Sequence, residues 1–197
     1  KQYFDQNKIN LINSESAKNT TKFSISISGS DRTLKLENEC DPIDYSNVKA
    51  DGHIVSPIFH EISDDVFKSI KDDSNFLFVD PQGFLRQKDS ENNIILKKTE
   101  LNLTNVNAIK INPEEGKNIV DGTPDEMMLA LQKKGIEYVL LTDKVNVSLL
   151  VKNRIYSLKL PNKSVHDTTG IGDIFCSTFT CTMLKEKDFL WALCFAA

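Results

Sequence analysis

The chain has 197 residues, of which 40% are hydrophobic and 26% charged, and its formal net charge at pH 7 is -4. This length and composition are those of one globular domain with a sizeable core. The small negative charge excludes the basic surface typical of nucleic-acid-binding proteins, so we expect no nucleic-acid partner. The longest nearly continuous apolar stretch, residues 189–197, is far shorter than the roughly 20 residues that span a bilayer. We therefore expect no membrane segment.

The cysteines predict no metal site, and Cys176, Cys181 and Cys194, in the last helical part of the chain, are expected to be small buried hydrophobic residues. None of the four forms a CxxC pair, and none stands beside a histidine at a zinc-like spacing. The sequence shows no secretory signal, which favours a cytoplasmic protein. The chain begins with Lys1 and ends inside an apolar helical pattern without a capping glycine, which predicts a piece of a longer protein.

In chain order, the first clear pattern is a hairpin. Residues 22–29, KFSISISG, alternate apolar and polar side chains, and RTLKLEN at 32–38 alternates again after a turn. A two-stranded ribbon is not stable alone. We therefore expect residues 22–37 to lie on the body of the protein, to pair with further strands, or to cover a site as a flap.

Beyond residue 52 the pattern changes to short apolar runs that alternate with amphipathic helical segments. The predicted strands are 53–58, 75–80, 106–112 and 136–142, and the predicted helices between them are 63–73 and 123–134. This alternation is typical of a buried parallel sheet with helices on its faces, so the predicted fold class is α/β. Residues 147–161 predict an antiparallel hairpin at one sheet edge, and the last helices begin near 170 and 187.

Polar residues end three of the predicted strands, namely Asp80, Asn112 and Thr142. In open α/β sheets, ligands bind at the carboxyl ends of the strands. These three residues therefore mark the predicted ligand-binding edge of the sheet.

The segment HDTTGIGD, residues 166–173, places two glycines just before an acidic residue at a predicted helix start. A P-loop is absent, and Phe175 stands where a dinucleotide fingerprint needs its third glycine. Glycines at a helix N-terminus expose backbone amides, so Gly170 and Gly172 predict an anion site. Asp173 beside that site can take the proton of a hydroxyl, as phosphoryl transfer requires. The alternative is an ordinary strand-to-helix turn whose first-turn Asp favours the helix dipole.

Residues 167–175, DTTGIGDIF, resemble the carboxyl-terminal signature of the ribokinase-like, or PfkB, carbohydrate kinases, usually DTxGAGD followed by an aromatic residue. Ile171 replaces the usual alanine, and both glycines are kept. The resemblance implies that Gly170 and Gly172 form an anion hole and that Asp173 is the base that activates the acceptor hydroxyl. It also implies a nucleotide contact at Thr169.

A second motif, KINPEE, resembles the NxxE element of the same family, here Asn112 and Glu115. The resemblance implies that these residues order Mg2+ and the phosphate end of ATP, largely through water, with Glu115 on the metal side. The alternative for this motif alone is a strand end that runs into a helix with an acidic first turn.

Three further segments resemble the family with less specificity. VDPQGFLR, with Asp80 and Arg86, resembles a segment near the active cleft and implies contacts with the substrate. Thr142 ends a strand that passes the nucleotide phosphates in the family, but no glycine follows it here, unlike in the family. Residues 22–37 resemble the lid hairpin over the sugar site, through which a homodimer can form.

The resemblance implies a ribokinase-like three-layer α/β/α fold with a mainly parallel central sheet and a small β lid. Residues 1–197 are then a single incomplete kinase domain without the family's first strands and last helices. The implied activity transfers the γ-phosphoryl group of ATP, with Mg2+, to a hydroxyl of a small-molecule sugar or nucleoside. The alternative is a noncatalytic relative that binds a sugar or nucleotide as a regulator. The turn after Thr142, together with Cys176 and Ser177, favours that alternative, whereas Asp173 argues for the enzyme.

Overall fold

The computed structural model describes residues 2–11, 20–28, 31–143, 145–161 and 169–197. The strands, in chain order, are β1 (Lys22–Ser28), β2 (Asp31–Asn38), β3 (His53–Val55), β4 (Leu77–Val79), β5 (Arg86–Lys88), β6 (Ile94–Leu96), β7 (Ala108–Ile111), β8 (Tyr138–Thr142), β9 (Asn146–Val151) and β10 (Arg154–Lys159). The helices are α1 (Gln2–Gln6), α2 (Asp64–Asp73), α3 (Gln82–Leu85), α4 (Pro113–Lys117), α5 (Pro124–Lys133), α6 (Ile171–Glu186) and α7 (Phe189–Ala196).

The central sheet has six strands, in the order β10, β9, β8, β7, β4, β3. The pairs β3–β4, β4–β7 and β7–β8 are parallel, whereas β8–β9 and β9–β10 are antiparallel. Because a parallel pair needs a crossover connection, helix α2 lies between β3 and β4, and α5 lies between β7 and β8. The predicted α/β class, with a mainly parallel sheet and an antiparallel hairpin at one edge, is confirmed.

Helices cover both faces of this sheet and complete three layers. Phe67 of α2 and Met127 of α5 are 5% and 0% exposed in the cluster on one face, and Phe179 of α6 is fully buried in the cluster on the other. Successive strand residues serve opposite faces, so Val79 belongs to the first cluster and Phe78 to the second. The phenyl rings of Phe78 and Phe179 meet edge to face at 5.9 Å, which ties α6 to the middle of the sheet.

The carboxyl ends of the parallel strands lie at one edge of the sheet, where the site is built. Asp80, the first residue after β4, donates its backbone N–H to the carbonyl of Val55 at the end of β3, at 2.8 Å. Asn112 directly follows β7, and Thr142 is the last residue of β8. The three predicted strand-end residues thus lie on three neighbouring strands.

The predicted hairpin is formed by β1 and β2, which pair antiparallel, while its turn at 29–30 lies outside the described residues. The hairpin lies on the body. Leu36 is 6% exposed and its N–H donates to the carbonyl of Asn92 at 2.8 Å, and the ring of Phe23 meets that of Phe59. Asn92 belongs to the connection between β5 and β6, a small antiparallel sheet that the sequence pattern did not predict.

The cysteines and the lengths of the helices can also be compared with the sequence analysis. Cys40, Cys176, Cys181 and Cys194 are free thiols. Of the three expected to be buried, Cys176 is buried, whereas Cys181 and Cys194 are exposed, so the expectation is wrong for these two. None of the helices within the described ranges combines the length and hydropathy that crossing a bilayer requires.

Candidate active site

The first turn of α6 carries the two glycines singled out in the sequence. Gly170 is the N-cap residue and adopts the left-handed conformation, with φ 79° and ψ -3°. Only glycine takes this conformation at little cost, which explains its presence. A glycine also has no side chain to cap the first-turn amides, so Gly170 itself leaves them available to a ligand. Asp167 and Thr168, which complete the signature, lie outside the described residues.

Asp173 lies in the same helical turn with an exposed side chain. Its Oδ1 atom accepts a hydrogen bond from the hydroxyl of Ser56 at 2.9 Å. Ser56 directly follows β3, so this bond ties the helix start to the carboxyl end of a central strand. One oxygen of the carboxylate is thereby oriented by the protein.

Beneath the start of α6 lies a buried charged cluster. Lys110 of β7 is 7% exposed, and its ammonium donates a hydrogen bond to Asp80 Oδ2 at 2.8 Å. Glu115, 1% exposed, has its Oε2 atom 3.9 Å from Lys110 Nζ. Asp80 is 4% exposed, and its Oδ1 atom accepts the N–H of Gln82 at 3.2 Å. Three ionisable side chains are therefore removed from water within contact of one another.

The electrostatics of this cluster favour a charged lysine. Burial opposes the ammonium form of Lys110, but the carboxylates of Asp80 and Glu115 outweigh it and raise the pKa of Lys110. Burial raises the pKa of Glu115, and the positive charge of Lys110 offsets this only in part. Burial, with the Asp80 carboxylate, also raises the pKa of the Cys176 thiol. Lys110 thus supplies a permanent positive charge, whereas Cys176 stays a neutral thiol.

Gly172 connects the helix start with the charged cluster. A Cβ atom built on Gly172 would lie 3.5 Å from Lys110 Nζ and 3.7 Å from Asp80 Oδ2. No side chain at this position therefore stands between the first turn of α6 and the ammonium group. The glycine pair has two separate roles, because Gly170 permits the backbone turn and Gly172 keeps the space over Lys110 open.

Asn112 and Glu115 form a capping box at the start of α4. Asn112 Oδ1 accepts the N–H groups of Glu114 and Glu115, both at 2.9 Å, and Glu115 Oε2 accepts the N–H of Asn112 at 2.9 Å. This is the geometry of the simpler alternative for the motif, a capped helix start beside a strand end. The box also holds the Glu115 carboxylate in the charged cluster.

The surroundings of Glu115 do not suit a residue that binds Mg2+ directly. Its carboxylate is buried, accepts a backbone N–H and faces the Lys110 ammonium. In the described part of the chain, no group of three or more His, Cys, Asp or Glu side chains is arranged to hold a metal ion. A contact with Mg2+ through water stays a prediction.

The turn after Thr142 is closed by a side chain in place of the family's glycines. Asp143 Oδ1 accepts the N–H groups of Val145 at 2.8 Å and Asn146 at 2.6 Å. These backbone bonds hold the pKa of Asp143 below its usual range, because they favour the carboxylate. Thr142 is half-buried at the end of β8, next to the strand that carries Asn112. Thr169 lies exposed in the turn that enters α6.

Arg86 joins the hairpin of β1 and β2 to the edge of the site. Its guanidinium lies over the ring of Phe23, 5.4 Å from the centroid, and donates to the carbonyl of Ile58 at 3.0 Å. The Arg86 charge also acts on the Glu115 carboxyl group and lowers its pKa against the effect of burial. Arg86, which the sequence predicts to contact substrate, therefore also contacts the hairpin.

The fold brings together most of the residues predicted from the sequence. Contacts connect Asp173, Gly172, Asp80 and Glu115 through two residues that the sequence analysis did not select, Lys110 and Ser56. Lys110 carried a detectable signal, because a lysine interrupts an otherwise apolar strand. Ser56 carried none, since a serine after a strand is common.

Solved structures resemble this fold, although no family model and no curated protein matches the sequence. A pyrophosphate-dependent kinase of the ribokinase family, solved as a sulfate complex, superposes with a TM-score of 0.80 at 20% identity, over 90% of this chain and 66% of that one. Such a kinase bound to a pyrophosphate analogue and myo-inositol gives 0.73 at 19% identity, over 84% and 63%. Ribokinase from Thermotoga maritima gives 0.68 at 17% identity, over 90% and 60%.

These matches and the three-layer architecture define an α/β/α protein. Its fold is ribokinase-like, as the resemblance of the sequence implied. The chain spans 60 to 66% of the length of these three structures. At identities of 17 to 20% the likeness establishes the fold, and the chemistry has to be argued from the residues of this chain.

Proposed function

We propose that the protein is a kinase that transfers a phosphoryl group to a hydroxyl of a small sugar-like or nucleoside acceptor. One observation carries the proposal: Asp173 stands in the first turn of α6 beside Gly170 and Gly172, with its Oδ1 atom held by Ser56. A carboxylate beside a helix N-terminus whose N-cap residue has no side chain combines a proton acceptor with an anion site, the two elements that phosphoryl transfer requires.

In the proposed reaction, the acceptor hydroxyl donates a hydrogen bond to Asp173 Oδ2. Its oxygen attacks the terminal phosphorus of the donor, the bond from that phosphorus to the bridging oxygen breaks, and the hydroxyl proton passes to Asp173. Negative charge on the phosphoryl oxygens is stabilised by the amides at the start of α6 and by its helix dipole. The role of Asp173 is mainly to orient the hydroxyl, because the transition state of such transfers is loose.

The first proposed donor is ATP, as the family resemblance implies. Asn112, Glu115, Thr142 and Thr169 are then the residues on the donor side, and Mg2+ accompanies the nucleotide. The closed turn of Asp143 does not prevent this, because Thr142 keeps a hydroxyl at the strand end.

Pyrophosphate is the second candidate donor, and two observations favour it. The turn after Thr142 lacks the glycines that the family places near the nucleotide phosphates. The structures with TM-scores of 0.80 and 0.73 are described as pyrophosphate-dependent kinases. A pyrophosphate donor makes no use of an adenine pocket, and it leaves inorganic phosphate in place of ADP.

On the acceptor side we propose a contact from Arg86, with a separate role for Asp80. Both carboxylate oxygens of Asp80 are engaged, one by the N–H of Gln82 and one by Lys110, so Asp80 acts by holding the lysine. Arg86 lies at the base of the hairpin, where a lid over the acceptor would close. Sugar and inositol hydroxyls are suitable partners for its guanidinium.

The hairpin also offers a surface for a homodimer. Ile25 and Ile27 of β1 are 48% and 75% exposed, and a second copy of the chain could bury both. Sedimentation of the wild type and of Ile27→Lys tests this arrangement. A dimer that dissociates in the variant supports it, and a monomeric wild type overturns it.

The test of function incubates the full-length protein with Mg2+ and either ATP or pyrophosphate. A panel of sugars, sugar phosphates, inositols and nucleosides serves as acceptors, and phosphorylated product is detected by 31P NMR. We expect acceptor-dependent transfer that falls by at least about 100-fold in Asp173→Asn, as loss of a general base does. The matched control is Asp125→Asn, an exposed aspartate in the first turn of α5, which should keep full activity. Donor binding without transfer to any acceptor would favour the noncatalytic regulator instead.

A further inference from the structure

Lys110 is the one member of the charged cluster whose presence the proposed reaction does not yet explain. It occupies a strand whose four residues are all buried, where an apolar side chain would be the ordinary choice. Its side chain is 9% exposed. Burying an ammonium group is unfavourable unless it is paired, and a pair of this kind is often no more stable than apolar side chains of similar volume. Stability of the fold alone therefore gives little reason for a lysine at this position.

The hydrogen bonds of Lys110 leave donors unused. An ammonium group has three N–H donors. Among the described residues, Lys110 Nζ donates one hydrogen bond, to Asp80 Oδ2 at 2.8 Å. Glu115 Oε2 at 3.9 Å contributes attraction but lies beyond hydrogen-bond distance. Up to two donors of a buried cation thus remain for a ligand.

The side of the ammonium toward α6 is the side that Gly172 keeps open. The position of a Cβ on Gly172 is 3.5 Å from Lys110 Nζ, so a group of about that size placed at the helix start would contact the lysine. The same position is 3.7 Å from Asp80 Oδ2, a carboxylate oxygen that already accepts a hydrogen bond from the ammonium. An anion held by the first-turn amides of α6 would therefore approach the ammonium as well.

We propose that Lys110 is a further catalytic residue, whose ammonium binds an oxygen of the transferring phosphoryl group at the N-terminus of α6. Asp80 holds the ammonium in place by a hydrogen bond, and the nearby Glu115 carboxyl group adds attraction. The inference rests on the proposed phosphoryl transfer and deepens it. It adds a full positive charge to an anion site that otherwise consists of amides and a helix dipole, and such a charge stabilises the transition state strongly where water is excluded.

The inference is tested with variants that remove the Lys110 charge, either alone or together with the Asp80 carboxylate. Lys110→Met removes the ammonium but strands the buried Asp80 carboxylate, so it can fail to fold. The double variant Lys110→Met, Asp80→Asn replaces the ion pair by neutral groups of similar size and avoids that problem. Asp80→Asn alone keeps Lys110 and measures how much of the loss comes from removing the partner of the lysine. Lys159→Met, an exposed lysine of β10, controls for loss of any lysine.

Two quantities are measured on the full-length variants, the transfer rate and the dissociation constant of inorganic pyrophosphate by calorimetry. We expect the double variant to lose at least about 100-fold in kcat, with acceptor KM nearly unchanged, as removal of one anion-hole donor does. Pyrophosphate binding should weaken at least about tenfold in the double variant but much less in Asp80→Asn. Lys110→Arg should recover part of the rate, because it restores the charge.

The outcomes separate this inference from the proposed function. A double variant that folds, binds pyrophosphate and transfers phosphoryl groups like the wild type overturns the role of Lys110 and leaves the kinase in place. A wild type that transfers to no acceptor overturns the kinase together with the catalytic role. If pyrophosphate binding still depends on Lys110 in that case, Lys110 belongs to an anion-binding site that does not support phosphoryl transfer.

Discussion

The hydroxyl of Ser56 donates a hydrogen bond to Asp173 Oδ1 at 2.9 Å, although 117 positions separate the two residues in the chain. The bond joins the residue after β3 to the first turn of α6. It fixes one oxygen of the carboxylate, so the carboxylate plane no longer rotates freely about the terminal bond of its side chain. A carboxylate oriented in this way presents its second oxygen in one direction.

Ser56→Ala should lower kcat by about threefold to tenfold, because a hydrogen bond of this kind contributes about 0.5 to 1.5 kcal/mol. Donor affinity should be unchanged, since in the proposed reaction the bond orients the carboxylate that faces the acceptor hydroxyl. Steady-state kinetics with the acceptor and donor varied separately measure both effects. Ser157→Ala, which removes a hydroxyl bonded to Ser148 on the sheet edge, is the control. Equal kcat in Ser56→Ala and wild type would exclude an orienting role for Ser56.

The two glycines of α6 should respond differently to alanine. Gly172 has no positive φ, and an added methyl group would make ordinary contacts at 3.5 and 3.7 Å, so Gly172→Ala should fold with unchanged or slightly higher stability. The methyl group would nevertheless cover Lys110, so we expect transfer to fall by at least about tenfold. Gly170→Ala must adopt φ 79° and should lose about 1 to 2 kcal/mol of unfolding free energy.

Thermal unfolding and turnover, measured on the same samples, distinguish the two glycines. Loss of activity at full stability in Gly172→Ala supports the open space over Lys110. Full activity in that variant would mean that no ligand uses this space. A Gly170→Ala protein as stable as the wild type would contradict the left-handed conformation of this residue.

Much of the fold follows from patterns that are local in the sequence. The buried runs that became β4, β7 and β8, with helices between them, predicted a parallel sheet. Because ligands bind at the carboxyl ends of such strands, the sequence alone places Asp80, Asn112 and Thr142 at one edge of the sheet. The glycine pair located the start of α6, because the left-handed conformation of the N-cap residue favours glycine.

The remaining features depend on contacts between distant segments. Strand β3 ends at Val55, earlier than predicted, and this leaves Ser56 free to bond to Asp173. Strands β5 and β6 are three residues each, too short for a periodic pattern to be recognised. Lys110 looks like an isolated charge in the sequence, and its meaning comes from Asp80, 30 positions earlier, and from Gly172 on another element.

Two capping boxes among the described residues allow a structural role to be separated from a functional one. Asn112 and Glu115 cap α4 at the site, while Thr123 and Glu126 cap α5 away from it with the same pattern of bonds. Asn112→Ala and Thr123→Ala should each cost about 1 kcal/mol of unfolding free energy. We expect only Asn112→Ala to lower transfer, because it loosens the first turn of α4, which positions Glu115 in the charged cluster.

Chemical denaturation and kinetics on both variants provide the test. Equal losses of stability with unequal losses of activity would support a functional role of the box at α4. If both variants keep full activity, the NxxE motif of this chain is a helix cap and contributes nothing to donor binding.

The contact between Phe23 and Arg86 should control how firmly the hairpin of β1 and β2 lies on the body. The guanidinium is 5.4 Å from the ring centroid of Phe23, and that ring also meets Phe59 at 6.5 Å. Each contact contributes on the order of 0.5 to 1 kcal/mol. Phe23→Ala should therefore speed hydrogen exchange of the β1 and β2 amides, leave the central sheet unchanged, and raise acceptor KM with little effect on donor KM.

Lys22→Ala, which removes an exposed salt bridge to Glu37 within the hairpin, is the control and should leave acceptor KM unchanged. Faster exchange without a change in acceptor KM would show that the hairpin is mobile in Phe23→Ala but does not act as a lid over the acceptor.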